Sequence, residues 1–144
     1  MAGVTTTHDF NGTLDQVYGA ITDYESYPDY IPGVLKVIVL EPLADGAACS
    51  VRYEINVVKT IHYTLNMFHT KPLEVSWELE SSNLMKKNEG YWRLHDKSDG
   101  IVAADYSVDL KFRGLVPSAI VKKLTETNLP AMFEGFQELI RNKS

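Results

Sequence analysis

Cysteine is nearly absent from this 144-residue chain, and the one thiol, Cys49, has no partner for an intramolecular bridge, so the fold must hold without disulfides. Met1 to Thr7 has neither the basic flank nor the apolar run of a signal peptide. A reducing, cytoplasmic setting is the expectation. Long hydrophobic runs are missing as well: the longest uncharged apolar run, Val37 to Leu40, is strand-sized, far below the roughly 20 residues that span a bilayer. No transmembrane segment is expected. Positive charge is also short, with 14 Lys and Arg against 19 Asp and Glu, a net charge of −5 and basic residues spread along the chain. A polyanion finds little to hold there, so charge gives no reason to expect a nucleic-acid partner.

Sites with recognisable chemistry are equally scarce. His8, His62, His69 and His95 show no metal-ligand spacing, and no metal or other cofactor is expected. There is no Gly-x-Ser-x-Gly nucleophile motif, no phosphate-cradling glycine loop, and Cys49 falls in a strand, where a thiol is an inert core group. Asp105 and Asp109 flank Ser107 on the outward side of another strand and read as a solvated face. No residue pattern argues positively for catalysis. Repeats, low-complexity tracts and linkers are lacking too, and the length, 1–144, suits one domain that buries roughly 70 % of its unfolded surface.

What the chain does have is a change of hydrophobic period. Val4 to Phe10 suits a first strand, ended by Asn11-Gly12. Thr13 and Gln16 then have the form of a capping box, and Leu14, Val17, Tyr18 and Ile21 fall on one side of a helix that should stop near Asp23. Asp23 to Gly33 holds three tyrosines and two prolines, which predicts a short helical turn ending at Pro32 with its rings packed under a neighbouring element. From Val34 the period becomes two. Strands are expected at Val34 to Glu41, Cys49 to Val57, Ile61 to Met67, Leu73 to Leu79, Tyr91 to His95 and Ile101 to Phe112, with turns at Pro42 to Gly46 and Ser98-Asp99-Gly100 and a polar spacer at Ser81 to Asn88. The three strands from Cys49 to Leu79 each hide their odd-numbered residues, Leu73 included.

A long helix closes the chain. Pro117 suits its first helical residue, Ile120, Val121 and Leu124 face one way, and Pro130 predicts a bend after Glu126. Two registers are open beyond the bend, and Val121, Asn128, Met132 and Phe136 are buried in both. The fold class expected is therefore α+β: a curved antiparallel sheet of about seven strands, two short helices after the first strand, and a C-terminal helix covering the dry face. Seven strands offer more inward surface than one bent helix fills. A gap between them follows.

The residues expected to line that gap and bind a ligand are Tyr53, Ile55, Tyr63, Met67, Trp77 and Trp92 from the sheet, with Tyr106 on the last strand. Val121, Asn128, Met132 and Phe136 join them from the helix. For each aromatic the alternative is ordinary core, and for Asn128 it is capping of carbonyls freed by Pro130. Buried phenols and indoles need hydrogen-bond partners, which one another, water or a ligand carbonyl could supply.

Val17-Tyr18 through Ile21, Asp23, Tyr27-Pro28, Tyr30 and Pro32-Gly33-Val34 resemble the opening motif of the START-like, helix-grip (SRPBCC) superfamily, in its coenzyme Q-binding and polyketide cyclase branch. Gly90-Tyr91-Trp92-Arg93-Leu94 resembles a later strand of that branch, and Gly114 to Pro117 with Leu129-Pro130 its bent terminal helix. Tyr18 and Tyr30 depart from it, standing where Trp or Phe is more usual. The resemblance implies a non-catalytic binder or carrier of a hydrophobic small molecule: a lipid, an isoprenoid quinone or a polyketide-like compound. Its alternatives are a polyketide cyclase or dehydratase, and a toxin-like protein that associates with the ribosome.

Overall fold

The period of two that begins at Val34 builds most of the molecule. The computed structural model describes residues 2–42, 48–57 and 59–143. Strand β1 (Ala2–Asn11) leads to helix α1 (Leu14–Ile21), a 3-10 turn (Tyr24–Ser26) and the single-turn helix α2 (Tyr27–Tyr30). Then come β2 (Val34–Pro42), β3 (Ala48–Val57), β4 (Lys59–Thr70), β5 (Glu74–Ser82), β6 (Met85–Ser98) and β7 (Ile101–Phe112). The chain ends in α3 (Ser118–Lys122), a π-helical turn (Lys123–Thr127) and α4 (Leu129–Lys143). The strands form an antiparallel sheet ordered β1-β7-β6-β5-β4-β3-β2, so each of β2 to β6 pairs with its successor and β1 pairs with β7. Register shifts between β2 and β3, β4 and β5, and β6 and β7 bend the sheet into the curve of a helix-grip fold.

Local chemistry explains the starts and stops. The Thr13 hydroxyl accepts from the Gln16 N–H (3.2 Å) while Gln16 Oε1 accepts from the Thr13 N–H (2.8 Å), the expected capping box. The expected spacer at Ser81 to Asn88 is instead a tight hairpin. Ser82 Oγ accepts the N–H groups of Leu84 (3.1 Å) and Met85 (3.0 Å) and donates to the His62 carbonyl (2.9 Å), so the chain reverses within three residues and β6 begins at Met85. Leu73 is not inward but 50 % exposed, because it sits in the turn where its N–H bonds the Thr70 carbonyl (2.8 Å) and alternation resumes only at Glu74. The turn expected at Pro42 to Gly46 lies, from Leu43 onward, outside the described residues.

Pro117 is the cap of α3 and not its first helical residue. The bend near Pro130 takes the form of a π turn, in which the Asn128 N–H reaches back five residues to the Lys123 carbonyl (3.2 Å). A proline four residues after Glu126 offers no N–H to that carbonyl, and the wider turn makes room for its ring. Beyond it Phe133, Phe136, Leu139 and Ile140 bury their side chains in the core. Gln137 ties α4 to the end of β1 with two bonds, accepting from the Asn11 N–H (2.8 Å) and donating to the Asn11 carbonyl (2.9 Å). Gly135 lets α2 lie close, since a Cβ there would stand 2.3 Å from the Tyr30 carbonyl oxygen.

Candidate ligand-binding cavity

The inner face of the sheet, α2 and the kinked terminal helix do not meet everywhere. Between them is a cavity of about 150 Å³. Tyr53 and Tyr63 sit opposite each other in the β3–β4 register and stack side by side on its wall, ring centroids 5.1 Å apart and planes 17° apart. Trp92 and Tyr106, opposite each other on β6 and β7, meet at 4.6 Å. Phe136 closes the other side, edge-on to Trp92 (5.4 Å) and to Tyr27 of α2 (5.2 Å). A second hollow of about 130 Å³ lies toward the π turn, lined by Ile55, Asn128, Lys123 and Leu129 among others. Ile31, Val34, Tyr63, Tyr106, Leu124 and Met132 line both and form the partition.

Polar groups on the inner wall divide into two kinds. Some are tied down: the Tyr27 hydroxyl donates to the Ile21 carbonyl, the Tyr24 hydroxyl pairs with His69 Nε2 (2.6 Å), and Trp77 Nε1 donates to Asn88 Oδ1 (3.0 Å). The hydroxyls of Tyr53, Tyr63 and Tyr106 have no hydrogen-bond partner among the described residues, and all three rings line the cavity. Burial pushes each of these phenols above its ordinary pKa, so at neutral pH they are protonated donors. Among the described residues no Asp, Glu, Lys, Arg or His lines the inner cavity. A guest of that space meets aromatic faces, hydroxyls and one amide, but no formal charge.

Of the side chains named from the sequence, Tyr53, Tyr63, Met67, Trp77, Trp92 and Tyr106 line the inner cavity, together with Met132 and Phe136. Ile55 and Asn128 line the outer hollow. Val121 lines neither: Ile120 is the residue of α3 driven into the core, and Val121 is only half-buried beside it. Asn88 went unrecognised because it stands in the polar run Lys86-Lys87-Asn88-Glu89, although it is 5 % exposed and on the cavity wall. Tyr24 and Tyr27 belong to the wall as well.

Residues 11–137 match the family described as polyketide cyclase / dehydrase and lipid transport. The chain belongs to that family. None of the curated proteins compared with it matches in sequence. Among solved structures, this polyketide cyclase and lipid-transport family member is similar to a START superfamily protein from Mycobacterium smegmatis, with 15 % identity, a TM-score of 0.87 and 100 % of each chain covered. It is also similar to the Zhui aromatase/cyclase from a Streptomyces species, at 17 % identity and a TM-score of 0.77, covering 98 % of this chain and 92 % of that one. A protein from Thermus thermophilus shares 14 % identity at a TM-score of 0.83, with 99 % of each chain covered. At such identities the likeness is one of fold.

Two further groups bear on chemistry. The Cys49 thiol, half-buried on β3, is pushed up by desolvation, away from the thiolate form a nucleophile needs. Among the described residues no three His, Cys, Asp or Glu side chains converge as a metal site would require, and no helix is long and apolar enough to cross a membrane.

Proposed function

We propose that the chain binds a neutral hydrophobic small molecule between the sheet and the terminal helix, and carries it without transforming it. One observation supports this above the others: among the described residues the cavity wall is aromatic and uncharged, yet holds three hydroxyls that none of those residues engages. A one-ring guest burying roughly 200 Å² of apolar surface gains roughly 5 kcal/mol before ordering costs, which makes binding reversible and suits a carrier. The family's description, which includes lipid transport, agrees with this reading. The partition side chains Leu124 and Met132, beside the π turn, offer the cheapest way in, because a broken helix opens more easily than a sheet.

A cyclase-type activity is the second reading, favoured by protonated phenols that could polarise a carbonyl. Against it stands the lack, among the described residues, of a base on the inner wall to remove a proton next to that carbonyl.

Native mass spectrometry of protein from its own host, followed by organic extraction, tests the carrier reading. A co-purified neutral organic molecule is expected, and Met132→Trp, which fills the partition, should abolish its uptake while the fold still melts cooperatively. Uptake unchanged by Met132→Trp would rule out this placement. Turnover of a β-ketoacyl thioester that is lost in the triple Tyr53→Phe, Tyr63→Phe, Tyr106→Phe variant would establish the enzyme instead.

A further inference from the structure

We infer that Asn88 selects the ligand, by donating a side-chain N–H to a carbonyl oxygen of a neutral aromatic guest; this rests on the cavity-binding reading above. The orientation of its amide is fixed by chemistry. Trp77 Nε1 carries a hydrogen and cannot accept, so the Asn88 atom 3.0 Å from it has to be Oδ1. That leaves Nδ2, with two N–H groups, to find acceptors elsewhere. One meets Met85 Sδ at 3.6 Å, a weak acceptor, and the other has none among the described residues. The side chain is 5 % exposed and lines the inner cavity, so an acceptor inside that space is the one it can reach.

The device is built by sequence. Gly90 sits opposite Trp77 in the β5–β6 register, and a Cβ there would stand 2.6 Å from the indole and 2.1 Å from the Ser107 carbonyl oxygen. Glycine lets the indole lie across β6, and in that pose Nε1 reaches Asn88. Gly90 makes room, Trp77 pins the amide, and Asn88 presents its donors to the hollow.

The same wall sets the class of guest. A cavity of about 150 Å³ accepts one six-membered ring with a short substituent and has no space for an extended acyl chain. Its aromatic faces favour a flat ring, and the absence of charge among the described lining residues disfavours an ion. A compact aromatic ketone or ester meets all three conditions.

Acetophenone and α-methylstyrene form a matched pair, differing only in oxygen against methylene. Titrating each into the full-length chain labelled with nitrogen-15, and following backbone and side-chain amides by NMR, gives both affinity and location. The wild type should bind acetophenone about tenfold or more tightly than α-methylstyrene, because a buried donor left unmatched penalises the hydrocarbon. The Asn88 side-chain resonances should move with the ketone alone. Asn88→Leu should erase the preference by raising α-methylstyrene affinity toward that of acetophenone, because no donor is then left unmatched. Equal affinities in the wild type, or a preference that survives Asn88→Leu, would overturn the assignment to Asn88 and leave the cavity-binding reading standing. Absence of binding by either compound would overturn both. If Asn88→Leu does not fold, the wild-type Asn88 resonances decide: no movement with acetophenone sinks the inference.

Discussion

His8 lies flat on Phe133, ring centroids 4.5 Å apart and planes 4° apart, and so joins the edge strand β1 to the terminal helix. Phe10 meets the same imidazole edge-on at 4.7 Å, and Phe133 continues the aromatic contact to Trp92 on the cavity wall (6.0 Å). The edge strand and the terminal helix are therefore joined by stacked rings, one of which is an imidazole.

Burial lowers the His8 pKa below its ordinary 6.5, with the neighbouring Asp9 carboxylate opposing and losing. The unfolded chain then binds a proton at higher pH than the folded one, so stability is full above about pH 6.5 and falls as pH drops toward the folded pKa. Urea denaturation of the wild type and of His8→Phe across this range should show the wild type losing ground as pH falls. A constant difference between them would show that the ring does not titrate against the fold.

Alkali should act in the opposite sense. Desolvation raises Tyr24, Tyr27, Tyr53, Tyr63 and Tyr106 above the ordinary value of 10.0, so the folded chain keeps protons that the unfolded chain releases. Stability is thus complete below about pH 10 and declines above it. Tyrosinate absorbance near 295 nm should develop from these five rings together with the loss of circular dichroism. Their smooth ionisation in the intact fold would contradict the burial described.

Gln137 holds both backbone groups of Asn11 and is itself 9 % exposed. Gln137→Ala removes two hydrogen bonds and leaves a part-buried N–H and carbonyl unserved, which should cost about 2–4 kcal/mol. Equilibrium unfolding measures it, and a loss below about 0.5 kcal/mol would show that water replaces the amide at no cost.

Gly135 is a matter of space alone. In Gly135→Ala the new methyl would press on the Tyr30 carbonyl oxygen and on Ile31 Cδ1 (3.0 Å), so α2 must withdraw from α4. A loss of about 1–3 kcal/mol is expected despite the better helix propensity of alanine. A more stable variant would mean that α2 moves freely.

Much of this was legible one residue at a time. Alternation at Cys49 to Val57 and Ile61 to Met67 located β3 and β4 and named Tyr53 and Tyr63 as inward, and the box at Thr13 and Gln16 marked the start of α1. Illegible were the places where a side chain outside the pattern set the backbone. Ser82 converted an apparent spacer into a hairpin, and the register shift between Met85 and Lys87 put Asn88 on the inner face amid lysines and a glutamate. Val121 was misplaced because the choice between it and Ile120 is made by the sheet beneath.

Local periodicity by itself determined which strands exist, which of their faces is dry and that a helix must cover them, because each of those depends on neighbours in the chain. Whether helix and sheet touch was decided only in three dimensions. Bulges set the curve of one surface, and the π turn with the Gly135 contact set the height of the other. The hollow, and the company of Trp77 and Asn88 within it, is the difference between those two surfaces, and no stretch of sequence holds both.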